Sequence, residues 1–232
     1  MFTRNFIIIL VILFILLLIL IMLWMKFKNN NIQYKGRGYC SIDADYVEPV
    51  VHENFISDKE CDYILKTANP MFSQSRLVSG FMTDVRKSET AWLPKSDPVV
   101  ANIIKRVCNM TNIPFENSEK MQVVKYEPNG YYRPHYDASC DDKKECVEFE
   151  KNGGQRVLTM IIYLNEDFTG GRTEFGNLGR EYIPKKNNGL LFYSLQKDGN
   201  KCHPKSLHAG MPVETGNKYI ANVWLREKNY ND

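Results

Sequence analysis

The residues able to do chemistry are few. The 232-residue chain has four histidines: His52, His135, His203 and His208. His135 and Asp137 stand two apart in Arg133-Pro134-His135-Tyr136-Asp137. In extended backbone, side chains at i and i+2 project to the same side. One imidazole nitrogen and one carboxylate oxygen can then share a metal ion. A second, distant histidine would complete a two-histidine, one-carboxylate set with open positions, which suits non-haem iron(II). Two histidines are candidates. His203 precedes Pro204 in a polar loop, and His208 lies in Ser206-Leu207-His208-Ala209-Gly210 ahead of a hairpin turn. Lys218 opens a largely apolar run in which Lys218, Ile220, Asn222 and Trp224 alternate onto one face. Tyr219, Ala221, Val223 and Leu225 alternate onto the other. A buried lysine needs a partner, and a dicarboxylate cosubstrate would provide one.

The elements that must position these residues follow from periodicity and turn signals. Ser57 with Glu60 three positions later forms a capping box, so a helix is expected from about Asp58 to Ala68. A second helix is expected from Asp97 to about Met110, with Val100, Ile103, Ile104 and Val107 on one face. The mixed stretch Ser75–Leu93 between them is expected to be mobile. From Met121 onward the pattern changes to short strands: Met121–Tyr126, Val157–Asn165, Gly189–Ser194, Ser206–Ala209 and Lys218–Leu225. Turn signals separate them, among them Pro128-Asn129-Gly130, Gly170-Gly171 and Thr215-Gly216-Asn217. Strands at this spacing predict a jelly roll or barrel. The charged stretch Asp141–Asn152 is expected to be an exposed loop.

Charge is nearly balanced, 30 Lys+Arg against 27 Asp+Glu, and no basic block appears, so nucleic acid is not an expected partner. From Phe6 to Met25 every residue is apolar. Twenty residues at about 1.5 Å each match the roughly 30 Å hydrocarbon core of a bilayer. Arg4, Lys26 and Lys28 flank the run, and no small-residue cleavage site follows it. The expected organisation is a membrane anchor over 1–28, a linker over 29–47 and a catalytic domain over 48–228. The positive-inside rule would leave that domain in the cytoplasm. The sequon at Asn109, a glycosylation candidate, and six cysteines favour a lumenal, endoplasmic reticulum-like location instead. The orientation stays open. No cysteines form a C-x-x-C pair, which excludes a zinc ribbon, and Cys140 with Cys146 could close a short disulfide.

Taken together, these blocks resemble the prolyl 4-hydroxylase α-subunit family of iron(II)- and 2-oxoglutarate-dependent dioxygenases, over about residues 48–228. The resemblance rests on Asn54-Phe55-Ile56-Ser57-Asp58-Lys59-Glu60-Cys61, Gln122-Val123-Val124-Lys125-Tyr126, Arg133-Pro134-His135-Tyr136-Asp137 and Arg156-Val157-Leu158-Thr159. It continues through Gly170-Gly171-Arg172-Thr173-Glu174-Phe175, Ser206-Leu207-His208-Ala209-Gly210-Met211-Pro212-Val213 and Gly216-Asn217-Lys218. The composition, rich in Asn, Lys and Ile, suits a giant-virus member. The family places its distal histidine ten residues before a lysine. His208 and Lys218 have that spacing and His203 does not.

The resemblance therefore implies iron ligands His135, Asp137 and His208, with Lys218 and the Tyr126 hydroxyl on the far carboxylate of 2-oxoglutarate. It implies a double-stranded β-helix, or jelly roll, with helices packed outside (mainly β with flanking helices, α+β). The implied reaction is 4-hydroxylation of prolyl residues in proline-rich or collagen-like peptides, coupled to oxidative decarboxylation of 2-oxoglutarate to succinate, with ascorbate as a further cofactor. Glu119, Tyr132, Arg156 and Trp224 match positions that face peptide or cosubstrate in relatives. Two departures are visible. Met211 stands where many relatives have cysteine, and Arg172 where a small or acidic residue is commoner. The competing readings are a lysyl hydroxylase with the same site and a catalytically inactive jelly roll that only binds peptide.

Overall fold

Why the strand-rich half forms two layers is visible in one strand's neighbours. Residues Arg156–Tyr163 read RVLTMIIY, an almost unbroken apolar run, as expected of a strand buried on both faces. In the computed structural model, which describes residues 46–75, 84–139, 144–196 and 202–231, this strand lies in the interior of the larger of two main sheets, third of its seven strands. All described residues fall in one compact unit, Lys35–Asp232.

In chain order the strands are β1 (Val50–His52), β2 (Ser73–Gln74), β3 (Arg86–Lys87), β4 (Glu89–Leu93), β5 (Met121–Tyr126), β6 (Tyr131–His135) and β7 (Arg156–Tyr163). They continue as β8 (Thr169–Gly170), β9 (Thr173–Phe175), β10 (Arg180–Tyr182), β11 (Gly189–Tyr193), β12 (His208–Gly210), β13 (Val213–Thr215) and β14 (Lys218–Arg226). The large sheet has the order β1-β11-β7-β14-β5-β4-β2, and the small one β10-β9-β12-β6-β3. A short β13-β8 pair completes the jelly roll. Every strand pair is antiparallel.

Helices cover the outer face of the large sheet. Helix α1 (Asp58–Ala68) starts at the expected capping box: Glu60 N donates to Ser57 Oγ at 3.3 Å, and Ser57 N donates to the Glu60 carboxylate at 2.8 Å. Helix α2 (Pro98–Thr111) is capped by Asp97, whose carboxylate accepts from Val99 N and Val100 N, and it ends at Asn112 with φ +55°. Its buried face is Val100, Ile103, Ile104 and Val107, with Cys108. These side chains pack with Val123, Leu158, Met160, Ile162, Ala221, Val223 and Leu225 into one core. A second core, with Val124, Ile161, Phe175, Leu190, Phe192 and Ile220, fills the space between the sheets. The alternation expected along β14 is therefore realised: Ala221, Val223 and Leu225 face the helices, and Ile220 faces the opposite sheet.

Two local expectations are corrected. The stretch Asp141–Asn152, expected to be a loop, contains helix α3 (Lys144–Lys151). Its charged residues are good helix formers, and Phe149 anchors it beneath two guanidinium groups, with Arg226 Cζ 4.1 Å and Arg156 Cζ 5.2 Å from the ring centroid. Of the segment Ser75–Leu93, expected to be mobile, residues 76–83 lie outside the described residues, and the rest supplies β3 and β4. Strand β4 pairs in register with β5 from Glu89↔Lys125 to Leu93↔Met121 and buries Ala91 and Leu93. Three of the segment's described hydroxyls pair with one another. Ser75 Oγ lies 2.7 Å from both Ser88 Oγ and Thr90 Oγ1. Sheet pairing overrode a polar local composition.

The anchor expected over 6–25 lies outside the described residues. Among the described residues no helix is long and apolar enough to cross a membrane. Tyr46, within the expected linker, stacks on His203 at 4.4 Å and donates its hydroxyl to Tyr193 O, so chain at 46 already packs against the domain. The pairing considered for Cys140 and Cys146 also lies outside the described residues. Cys61 and Cys108 are free thiols and Cys202 is disulfide-bonded. Asn109 is exposed on the last turn of α2.

Candidate active site

The strand register brings the metal-ligand candidates together. Strands β12 and β6 pair with His208 directly opposite His135, which sets their ring centroids 4.3 Å apart. Asp137 follows two residues beyond the end of β6. Its Oδ1 is 3.6 Å from His135 Nε2, and its Oδ2 is 3.8 Å from His208 Nε2. One potential ligand atom from each residue falls within 4.8 Å of the others.

The surroundings orient all three. His135 Nδ1 lies 2.8 Å from Arg133 O, and His208 Nδ1 lies 3.0 Å from Ser206 O. A carbonyl only accepts, so each Nδ1 carries the proton and each Nε2 lone pair is left for the shared space. Asp137 Oδ2 accepts from Thr159 Oγ1 at 2.6 Å and from Trp224 Nε1 at 3.1 Å. Burial alone would raise the Asp137 carboxyl. The His208 and His135 imidazoles and the Arg156 guanidinium outweigh it and hold the group well below the usual carboxylate range. Burial, reinforced by His135, pushes His208 down to about 4 against the pull of Asp137. An ionised carboxylate and a neutral imidazole are the forms that ligate a metal. Two nitrogens and one oxygen on one side of an open cavity fit a non-haem iron(II) ion.

The cavity has a volume of about 700 Å³. Lys218 lies in its wall, 3 % exposed, and Nζ donates to Gly171 O at 2.5 Å. Among the described residues it has no carboxylate partner, and burial pushes it down to about 7. Tyr126 and Tyr163 present their rings at 5.6 and 5.8 Å from Nζ. A buried ammonium beside an open cavity fits a carboxylate ligand such as that of 2-oxoglutarate.

The remaining sequence candidates divide. Tyr126, Tyr132, Arg156 and Trp224 line the cavity. Tyr132 stacks on His135 at 3.5 Å, and Arg156 Cζ sits 3.7 Å over the Trp224 ring. Glu119 is not among the lining residues. It is buried behind Arg156, accepting from Arg156 Nε and Nη2 at 2.6 and 2.7 Å and from Arg226 Nε at 2.7 Å. Its place is that of a counter-ion holding Arg156. His203, the other distal-ligand candidate, is buried away from this group. Its Nδ1 accepts from Lys205 N, and its ring stacks on Tyr46. Sequence reading assigned no role to Thr159, Arg86 or Trp92. Arg86 lines the cavity with Cζ 4.7 Å over Tyr132, and Trp92 lies 6.0 Å from Trp224 at the same cavity. A polar residue inside an apolar strand was the available signal for Thr159. Nothing in the local pattern marked the other two.

A jelly roll carrying this histidine–carboxylate cluster and a buried lysine defines an iron(II)- and 2-oxoglutarate-dependent oxygenase. The sequence model of the 2OG-Fe(II) oxygenase superfamily matches residues 121–226. A prolyl 4-hydroxylase homologue of Acanthamoeba polyphaga mimivirus is 45% identical, over 83% of this chain and 79% of that protein. Prolyl 4-hydroxylase 1 of Arabidopsis thaliana is 35% identical, over 77% of this chain and 69% of its own length. Among solved structures, the viral collagen prolyl hydroxylase of Paramecium bursaria Chlorella virus-1 in its 2-oxoglutarate complex is 33% identical, with a TM-score of 0.62. That match covers 82% of this chain and 99% of that one. The chain belongs to the prolyl 4-hydroxylase family.

Proposed function

We propose that this protein hydroxylates peptidyl proline at carbon 4, using iron(II), 2-oxoglutarate and dioxygen. One oxygen atom enters the prolyl residue, and the other enters succinate as carbon dioxide is lost from the keto acid. The observation that carries this reading is the convergence of His135, Asp137 and His208 in one cavity with a buried lysine that, among the described residues, has no carboxylate partner. His135 Nε2, His208 Nε2 and the Asp137 carboxylate would hold the iron, which when bound supplies the activation of dioxygen.

The chain's own residues do the rest. Thr159 and Trp224 fix the Asp137 carboxylate by two hydrogen bonds. The Lys218 ammonium, aided by the Tyr126 hydroxyl, would bind the far carboxylate of 2-oxoglutarate. Tyr132, Trp224, Trp92 and the Arg156 guanidinium give the cavity aromatic faces and a planar donor. Such a lining suits an extended proline-rich peptide, already ordered before binding. A collagen-like sequence is the substrate class favoured, because the viral relative is named for collagen.

The test is succinate release and oxidation of a proline-rich peptide by the wild type and by His135→Ala, Asp137→Ala and His208→Ala. All three variants should lose both products. Full peptide oxidation by any one of them would remove that residue from the site.

A further inference from the structure

Asp137 has a special difficulty. The ladder that positions His135 ends there, since the last β6–β12 pair is His208↔His135. Asp137, Ala138 and Ser139 continue as irregular chain. A carboxylate on such a segment is only as well placed as the backbone beneath it.

That backbone is gripped two residues further on. Gln155 Oε1 accepts from Ser139 N at 2.8 Å, and Gln155 Nε2 donates to Ser139 O at 2.7 Å. One side-chain amide thus takes both backbone groups of one residue, as a neighbouring strand would. Gln155 is itself buried and fixed. Its N–H donates to Glu227 Oε2 at 2.8 Å, its carbonyl accepts from Glu227 N at 3.0 Å, and its Nε2 also reaches Glu150 Oε1 of α3. The turn leading into it needs both glycines. Gly153 and Gly154 have φ of +85° and +73°, a region L side chains rarely adopt. A Cβ at Gly154 would collide with the Glu227 carboxylate, and one at Gly153 would meet Arg226 Cδ at 2.8 Å. Gly153-Gly154-Gln155 is therefore built to deliver one amide to one place.

We propose that Gln155 is a positioning residue for the metal-binding carboxylate: by clasping the Ser139 backbone it fixes the segment that carries Asp137. Thr159 and Trp224 orient the carboxylate group, whereas Gln155 sets where its main chain stands. Partners one step removed from a metal typically change its affinity by about 10- to 100-fold when lost.

The inference rests on the iron-site reading, and the test separates the two. Iron(II) affinity is measured anaerobically by titration on the wild-type protein and on Gln155→Met, which keeps length and volume but forms neither bond. Melting temperature and peptide KM are measured beside it. The expected result is a loss of iron(II) affinity of about 10- to 100-fold, with kcat recovering at saturating iron and peptide KM unchanged. Gln155→Asn keeps a neutral amide but is one methylene shorter, so it cannot clasp both Ser139 backbone groups in place. It should lose iron(II) affinity in the same direction, and it decides the matter alone if Gln155→Met does not fold. Affinity within twofold of wild type in the folded variant, with only the melting temperature lowered, makes Gln155 purely structural and overturns the proposal. Failure of the wild type to bind iron(II) would instead overturn the site reading beneath it.

Discussion

At the residue scale, Lys218 carries the sharpest expectations. Its ammonium is buried and donates to the Gly171 backbone carbonyl, and burial lowers it to about 7. Losing one partner of a buried charge pair costs about 2–5 kcal/mol, roughly 30-fold to several-thousand-fold in affinity. Lys218→Ala should weaken 2-oxoglutarate by that range and leave iron(II) affinity nearly intact, measured by titrating both on one variant. Lys218→Arg should rescue only in part, because a broad fork replaces a compact charge. The pH dependence has a definite sign. Below about 7 the free ammonium is charged and ready to bind. Above that value it is neutral in the free protein, and binding a carboxylate must take up a proton. The Kd for 2-oxoglutarate should then rise with pH, by up to about tenfold per unit, and Lys218→Arg should flatten the slope. A flat wild-type profile between pH 7 and 9 would contradict the assignment. His203 and His208 give a second contrast. His208→Ala should abolish iron binding. His203→Ala should leave it, at a stability cost of about 1–2 kcal/mol from the lost Tyr46 stack and backbone hydrogen bond, read as a lowered melting temperature.

At the scale of elements, the capping box of α1 isolates stability from activity. Ser57→Ala removes the acceptor for Glu60 N and should cost about 1 kcal/mol. Denaturant unfolding would show the loss, while kcat should stay put because no residue of α1 lines the cavity. Much of this level was legible in the sequence. Capping residues and apolar periodicity place α1 and α2 within a residue or so, and alternation assigns both faces of β14. What escaped detection depends on partners remote in sequence. Strand β4 exists because β5 pairs with it, and α3 is pinned by Phe149 against Arg226 and Arg156. The site follows the same division. His135 and Asp137 were legible as a pair from their spacing, although Asp137 lies past the end of β6 in irregular chain and not in the extended strand that the spacing argument assumed. The choice of His208 over His203 needed family resemblance, and the register His208↔His135 supplies its physical basis. The Glu119 pairing with Arg156 and Arg226 joins residues 37 and 107 positions apart and leaves no local trace; Thr159 stands out only as a polar residue in an apolar strand, its partner Asp137 lying 22 positions away.

At the scale of the whole molecule, the catalytic domain and the apolar run before it make separate claims. We propose that residues 6–25 hold the protein in a membrane, on the strength of an uninterrupted apolar stretch with basic flanks. The full chain should then stay with membranes through alkaline carbonate extraction, and a chain beginning at Tyr46 should be released. Recovery of the full chain in the supernatant would refute anchoring without touching the chemistry. The chemistry has its own direct measurement. Proline-rich, collagen-like and lysine-bearing peptides are incubated side by side with the protein, iron(II), 2-oxoglutarate and ascorbate. Each peptide is then hydrolysed and its hydroxylated residues are identified by mass spectrometry against authentic standards. The account predicts 4-hydroxyproline, formed in step with succinate, absent when any of His135, Asp137 and His208 is replaced by alanine, and reduced in Lys218→Ala most strongly when 2-oxoglutarate is limiting. Hydroxylysine as the sole product, or succinate formed with no hydroxylated proline in any peptide, would contradict it.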